Sequence, residues 1–141
     1  EEGKVRHLGL STHDRPFAGA VSADPQSPMD AIMIRYNAAH IGAETDAFPS
    51  LPHRDPPGVI SFTATRWGQL LRPGKMPPGE EPLTAADCYR FALSSGKVDV
   101  CLTGPRTAGE LEEGMRALEL GPLSDEEMER VRRIGRHVYG K

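Results

Sequence analysis

The sequence predicts an α/β fold of four parallel strands with helices outside, and three observations carry that reading. Four short apolar runs, Val5–Ser11, Ala31–Asn37, Val59–Thr65 and Val98–Gly104, each close on small or polar residues. Three of them are followed by a stretch with helical patterning, the rhythm of a βα repeat, which parallel sheets and barrels use. The chain has 141 residues, whereas a complete eight-unit (β/α)8 barrel takes roughly 250. Four units are too few to close a barrel. Residues 1–141 therefore read as a single partial domain, half of a larger cylinder.

The elements follow in order. Val5, His7 and Gly9 alternate with Arg6, Leu8 and Leu10, which fits a strand with two unlike faces. A helix is predicted over Arg15–Ser22, with Pro16 in its first turn and Pro25, Ser27 and Pro28 breaking it. Ala31–Asn37 is apolar nearly throughout apart from Arg35, as expected of a strand covered on both faces. A short helix is placed near Ala43–Phe48, and the prolines at 49, 52, 56 and 57 make the next stretch extended. Val59–Thr65 is rich in β-branched and aromatic residues.

Arg72–Pro82 holds four prolines and two glycines and is expected to be a long loop, either a lid on the substrate side or a passive linker. Thr84 with Asp87 and Thr107 with Glu110 have the spacing of capping boxes and open two helices, and Ser124-Asp125-Glu126-Glu127 caps a third. Leu111, Met115 and Leu118 lie on one face of the second of these, and Met128, Val131, Ile134 and Val138 form the buried stripe of the third. The last helix carries acids in its first turn and Arg132, Arg133 and Arg136 near its end, an order that suits the helix dipole.

Seventeen Lys and Arg against twenty Asp and Glu give a net charge of −3, so no basic excess points to nucleic acid or to an acidic membrane surface. No apolar run approaches the ~18 residues of a bilayer span, and the start has no signal-peptide pattern. The chain begins at Glu1 rather than Met, which fits a fragment cut or trimmed from a longer chain. Cys88 and Cys101 have no CxxC or framework spacing, so a reducing, cytoplasmic compartment is expected. The five histidines are scattered, and no metal site is expected.

At this point the residues resemble a known family. VRHLGLSTH resembles the segment that ends the fifth barrel strand of aldo-keto reductases. IMIRYNAAH is similar to the Q-x-x-YN segment of their sixth strand, and VISFTATRWGQLL to their seventh strand and loop. VDVCLTGPRTAGELEEGMRAL is similar to the eighth strand and the phosphate-binding helix after it. Each motif alone is weak, but the four run in order over nearly the whole chain. The resemblance implies the C-terminal half, the fifth to eighth βα units, of a TIM barrel that reduces carbonyls with NADP(H). It also implies a catalytic tetrad of Asp, Tyr, Lys and His on the first four units. None of the four has a counterpart here, so no catalytic residue is assigned to this chain.

The resemblance places cofactor contacts at Ser11, Thr12, Phe62, Thr63, Arg66, Gly104, Arg106, Thr107 and Glu113. Ser11 and Thr12 stand where the family binds the nicotinamide amide. Read alone, the pair simply closes a strand and caps a helix. Met33 stands at the family's Gln and cannot donate a hydrogen bond. Phe62 matches the aromatic that stacks on the nicotinamide, about 0.5–1.5 kcal/mol, though core packing is the plainer reading. Arg66 is placed near the diphosphate. Arg106 and Thr107 open a helix whose free N–H groups suit phosphate, with about 0.3–2 kcal/mol from the helix end and about 1.5–3 from the charge of Arg106. Arg106 reads equally as a solvated loop charge. The family's later basic residue is Glu110 here, and its adenine-reading Glu-Asn pair is Glu113-Gly114. Together these contacts are of millimolar order, so weak or absent cofactor binding is expected of the chain alone.

Two other readings compete. The chain is alternatively a non-catalytic half-barrel scaffold that pairs with an N-terminal half or with itself, because a half-barrel leaves edge strands and an apolar face open. A hydrolase built on Ser11, His13 and Asp14 carries little weight. These are sequence neighbours on one turn, where a triad needs side chains converging from separate elements. The carbonyl substrate is not legible in the sequence.

Overall fold

The four apolar runs become four parallel strands that pair in chain order. The computed structural model describes residues 3–140. Strands β1 (Gly9–Thr12), β2 (Ala31–Arg35), β3 (Gly58–Phe62) and β4 (Val100–Cys101) form one sheet, each hydrogen-bonded to the next. Between and after them come helices α1 (Arg15–Ala23), α2 (Ala43–Asp46), α3 (Ala85–Leu93), α4 (Ala108–Leu120) and α5 (Asp125–Tyr139), with short 3-10 turns at Phe48–Ser50, Gln69–Leu71 and Pro73–Lys75.

The register separates the two faces of the sheet. Ile32, Ile34, Val59 and Ser61 point to one side and are buried beneath the helices. Met33, Arg35, Ile60 and Phe62 point to the other, which no helix covers to the same degree. The hydrophobic core lies on the helix side. Tyr36 packs edge-on against Phe48, with ring centroids 5.1 Å apart, and lies 5.3 Å from Phe91.

The helix ends follow their capping residues. Thr84 and Ser124 form complete capping boxes with Asp87 and Glu127. Thr107 accepts the Glu110 N–H at 3.1 Å, but Glu110 returns its carboxylate one residue further back than a box requires, to Arg106. Two glycines permit close packing. A Cβ at Gly19 would lie 2.9 Å from the Asp46 carbonyl oxygen, where α1 meets α2. A Cβ at Gly135 would overlap the Ala38 carbonyl, where α5 crosses the loop after β2.

All four strands are shorter than the apolar runs that predict them, β1 and β4 most of all. Residues 5–8 precede β1, and Leu8 is held instead by the Asp30 carboxylate, which accepts its N–H at 2.8 Å. β4 keeps only Val100 and Cys101 as strand, with N–H bonds from Asp99 and Leu102 to β3 continuing the ladder on either side. Both are edge strands, paired on one side only. The proline-rich loop is fastened to α5, because Glu80 accepts hydrogen bonds from Arg130 and Arg133.

Candidate functional site

The C-terminal ends of parallel strands are where a barrel or open sheet collects its loops, and here they border a cleft. Its three walls are the turn after β3 (Thr65, Trp67, Gly68), the stretch from Leu71 to Tyr89 that enters α3, and the start of α4 (Gly104, Arg106, Glu110, Glu113). The cleft holds about 790 Å³, within the size of small-molecule sites.

The β3 turn is built on unusual backbone. Thr63, Arg66 and Trp67 all have left-handed φ values, 61°, 50° and 52°, followed by Gly68 at 76°. A β-branched residue such as Thr63 pays a steric penalty there, of the order of 1–2 kcal/mol. The turn is held by specific bonds. The Asn37 side-chain amide donates to the Thr63 carbonyl at 2.8 Å, and Thr65 Oγ1 accepts the Gly68 N–H at 3.1 Å. Arg66 donates to the carbonyl of Val138 and lies over the ring of Tyr139, 6.0 Å from its centroid. The turn is thereby tied to the end of α5.

The α4 wall is more acidic than its motif suggests. Glu110 accepts the Arg106 N–H at 2.7 Å and stands 3.8 Å from the Arg106 guanidinium. Glu113 accepts the Ala86 N–H at 3.3 Å and pairs with Arg116. Gly114 is small because Tyr89 lies over it: a Cβ there would come within 3.0 Å of the ring.

The sequence-expected residues divide into groups. Gly104, Arg106 and Glu113 line the cleft with the β3 turn that carries Thr63 and Arg66, and Thr107 sits at its edge as the α4 cap. Ser11 and Phe62 share the open face of the sheet, where His13 meets Phe62 edge-on at 5.3 Å. Thr12 points to the opposite face, and its hydroxyl accepts the Asp14 N–H at 3.0 Å. Trp67, Arg72, Thr84 and Tyr89 also line the cleft. The resemblance left them unassigned, since their place depends on the left-handed turn and on α3 standing between β3 and α4.

Other chemistry is thinly represented. Among the described residues no group of three His, Cys, Asp or Glu could hold a metal ion. No described helix is long and apolar enough to cross a membrane. Cys88 and Cys101 are free thiols, and burial pushes both upward from the ordinary thiol value.

Comparison by sequence gives no match, neither to a family model nor to a curated protein. Comparison by structure gives aldo-keto reductases. The holo form of AKR11C1 from Bacillus halodurans superposes with a TM-score of 0.73 at 19% identity, covering 94% of this chain and 51% of that one. Its apo form gives 0.70 at 18%, covering 94% and 52%. A thermostable aldo-keto reductase, Tm1743, solved with the inhibitor epalrestat, gives 0.66 at 18%, covering 94% and 50%. The chain thus spans about half the length of the structures it matches, and its fold is that of one half of an aldo-keto reductase barrel.

Proposed function

We propose that this chain is the cofactor-side, C-terminal half of a carbonyl reductase that uses a nicotinamide dinucleotide, NADP(H) by the family resemblance. The observation that carries the reading is the cleft at the C-terminal ends of the strands, where the β3 turn faces the start of α4. Its volume is about 790 Å³, and Phe62 and Ser11 lie on the open face of the sheet. At the helix end Glu110 occupies the N–H that a phosphate would take.

A bound nicotinamide would supply hydride to the carbonyl carbon. The chain's own contribution is to hold and orient: Phe62 offers a ring face, Ser11 a hydroxyl, and Arg106 and Arg66 positive charge. The proton donor belongs to the other half of the barrel. The 141 residues alone are expected to bind NADPH in the millimolar range and to oxidise none of it with a panel of aldehydes and ketones. Steady NADPH oxidation by the pure chain would overturn the reading. Location in the cytoplasm, with reduced cysteines, belongs to the same proposal.

The scaffold reading is favoured by where apolar surface is exposed. Val5, Leu8 and Phe17 are exposed at the β1 side, and Val100, Leu102, Leu111, Met115 and Leu118 at the β4 side. Those are the two borders at which an eight-stranded cylinder would continue. Tyr89, Leu93, Cys101, Leu111, Met115 and Leu118 also line a mostly apolar groove of about 260 Å³ between β4 and α4. A second half, from an N-terminal segment or a second copy, would cover both borders. Sizing chromatography tests this directly, and a clean monomer at high concentration would count against self-pairing.

A further inference from the structure

We propose that Arg35, with Arg66 beside it, forms a binding site for a small oxyanion, a carboxylate or a phosphate group, at the C-terminal end of β2. The inference does not rest on the dinucleotide reading. Arg35 is the last residue of β2, in register with Phe62 on the open face of the sheet. Among the described residues it makes no side-chain hydrogen bond and no ion pair, and its Nε is buried without a partner.

A buried Nε without a partner sets two arginines apart, Arg35 and Arg66, although Arg66 also donates from another nitrogen to the Val138 carbonyl. Arg15, Arg90, Arg106, Arg116, Arg130, Arg132 and Arg133 each face a carboxylate. Arg35 and Arg66 do not, and they are the arginines whose Nε is buried and unsatisfied. A charged donor withdrawn from water without a partner carries a penalty that an incoming anion removes. Guanidinium groups present paired donors that match carboxylate and phosphate oxygens.

Both arginines border the loop after β2, Arg35 from the end of β2 and Arg66 from the turn after β3. The Asn37 amide ties Thr63 to the loop after β2, so the turn carrying Arg66 lies against residues 37–40. Asn37 Oδ1 accepts the Ala39 N–H at 3.0 Å and lies 3.2 Å from His40 Nδ1. That oxygen can only accept, so His40 donates from Nδ1 and keeps Nε2 unprotonated. Burial lowers the His40 pKa to about 4, and the nearby charges of Arg35, Arg66 and Arg15 add to the effect. Arg15 is compensated by Asp46, 3.0 Å away. The remaining positive field belongs to Arg35 and Arg66.

The test uses the full chain with labelled arginine Nε–H groups, followed by NMR at pH 7. Sodium oxalate and sodium pyrophosphate are titrated separately against sodium chloride at matched ionic strength. Saturable shifts of the Arg35 and Arg66 Nε–H signals and of the His40 ring, absent with chloride, are expected. A response to oxalate alone assigns the site to a carboxylate, and a response to pyrophosphate alone to a phosphate. Arg35→Gln should weaken binding at least tenfold while leaving the fold intact, because Arg35 holds no side-chain hydrogen bond or ion pair among the described residues. Arg35→Lys keeps the charge without the fork and should bind at an intermediate level. The absence of saturation with both anions, or an Arg35→Gln variant that binds as well as the unaltered chain, overturns the proposal.

Discussion

Glu110 folds back over the first turn of α4 and accepts the backbone N–H of Arg106 at 2.7 Å. An acceptor with a negative charge thus already sits where the helix end would otherwise offer a free donor to an anion. Replacing Glu110 by Gln should remove the charge and improve NADPH binding about three- to tenfold, in line with roughly 1 kcal/mol for a charge at a helix end. Glu110→Lys should improve it further. NADH binding should change less in both variants. Titration of nicotinamide fluorescence with the two cofactors checks the difference, and equal gains for both would show that Glu110 does not face the extra phosphate.

Gly135 lies in the middle of α5, where helix propensity alone favours Ala by about 1 kcal/mol. Packing reverses the sign, because a Cβ would collide with the Ala38 carbonyl. Gly135→Ala should lower stability by about 1–3 kcal/mol, the usual range for overpacking, or more if α5 is expelled. Urea denaturation measures the loss, and a stabilised variant would show that α5 crosses the sheet elsewhere.

Arg90 is only 5% exposed, yet it is fully bonded. It donates to the Gly121 carbonyl at 2.8 Å, to the Pro122 carbonyl at 3.0 Å, and to both Glu127 carboxylate oxygens at 2.8 and 2.9 Å. One side chain on α3 therefore fixes the turn between α4 and α5. Arg90→Met should cost about 3 kcal/mol, since two carbonyls and a carboxylate lose their partner. Arg90→Lys should restore little, because an ammonium cannot reach three acceptors in that plane. Thermal unfolding of the pair gives the comparison.

Stability should fall on acidification in two overlapping stages. His40 in the folded chain titrates near 4 against an ordinary 6.5. The unfolded state binds the proton first, so stability declines as pH drops from 6.5 toward 4. The hydrogen bonds from Arg90 and Ser124 hold Glu127 at about 2, against an ordinary 4.5. Asp30, Asp46 and Glu80 are also lowered, by hydrogen bonds from Leu8, Thr45 and Arg133 in turn. Their contribution is present above about pH 4.5 and is lost below it. Thermal midpoints measured from pH 3 to 8 should show both stages, and His40→Gln should flatten only the upper one.

Met115 is half exposed on the apolar face of α4 and lines the groove beside β4. Met115→Glu should leave the monomer's stability within about 0.5 kcal/mol, as for other surface changes. The same change should abolish association with a second half-barrel. Sizing chromatography and thermal unfolding together separate the two effects.

The sequence carried the strand order and the helix starts because each rests on local signals. Thr84 and Ser124 cap as their spacing demands. The edges of β1 and β4 were less legible, since apolar runs continue past the point where a neighbouring strand is present to bond them. The stripe of Leu111, Met115 and Leu118 was readable as a stripe, but periodicity says nothing about what covers it, and here it is exposed. Arg35 stood out as the polar exception in an apolar strand. Its lack of a partner depends on which residues the fold brings near it. The left-handed turn at Thr63, Arg66 and Trp67 had no signal at all, because these residue types ordinarily avoid that conformation.

Arg132 on α5 grips Glu44 on α2 at 2.7 and 3.1 Å, and Glu44 in turn accepts the Tyr36 hydroxyl at 2.7 Å. The two ends of that link lie 88 residues apart in the chain. The middle of the sheet is thus clamped by a helix far downstream of it in the sequence. Folding should be slow for a chain of this size, since so distant a closure precedes its reward. A nascent chain stopped short of residue 132 would hold a nearly complete sheet without its fastening.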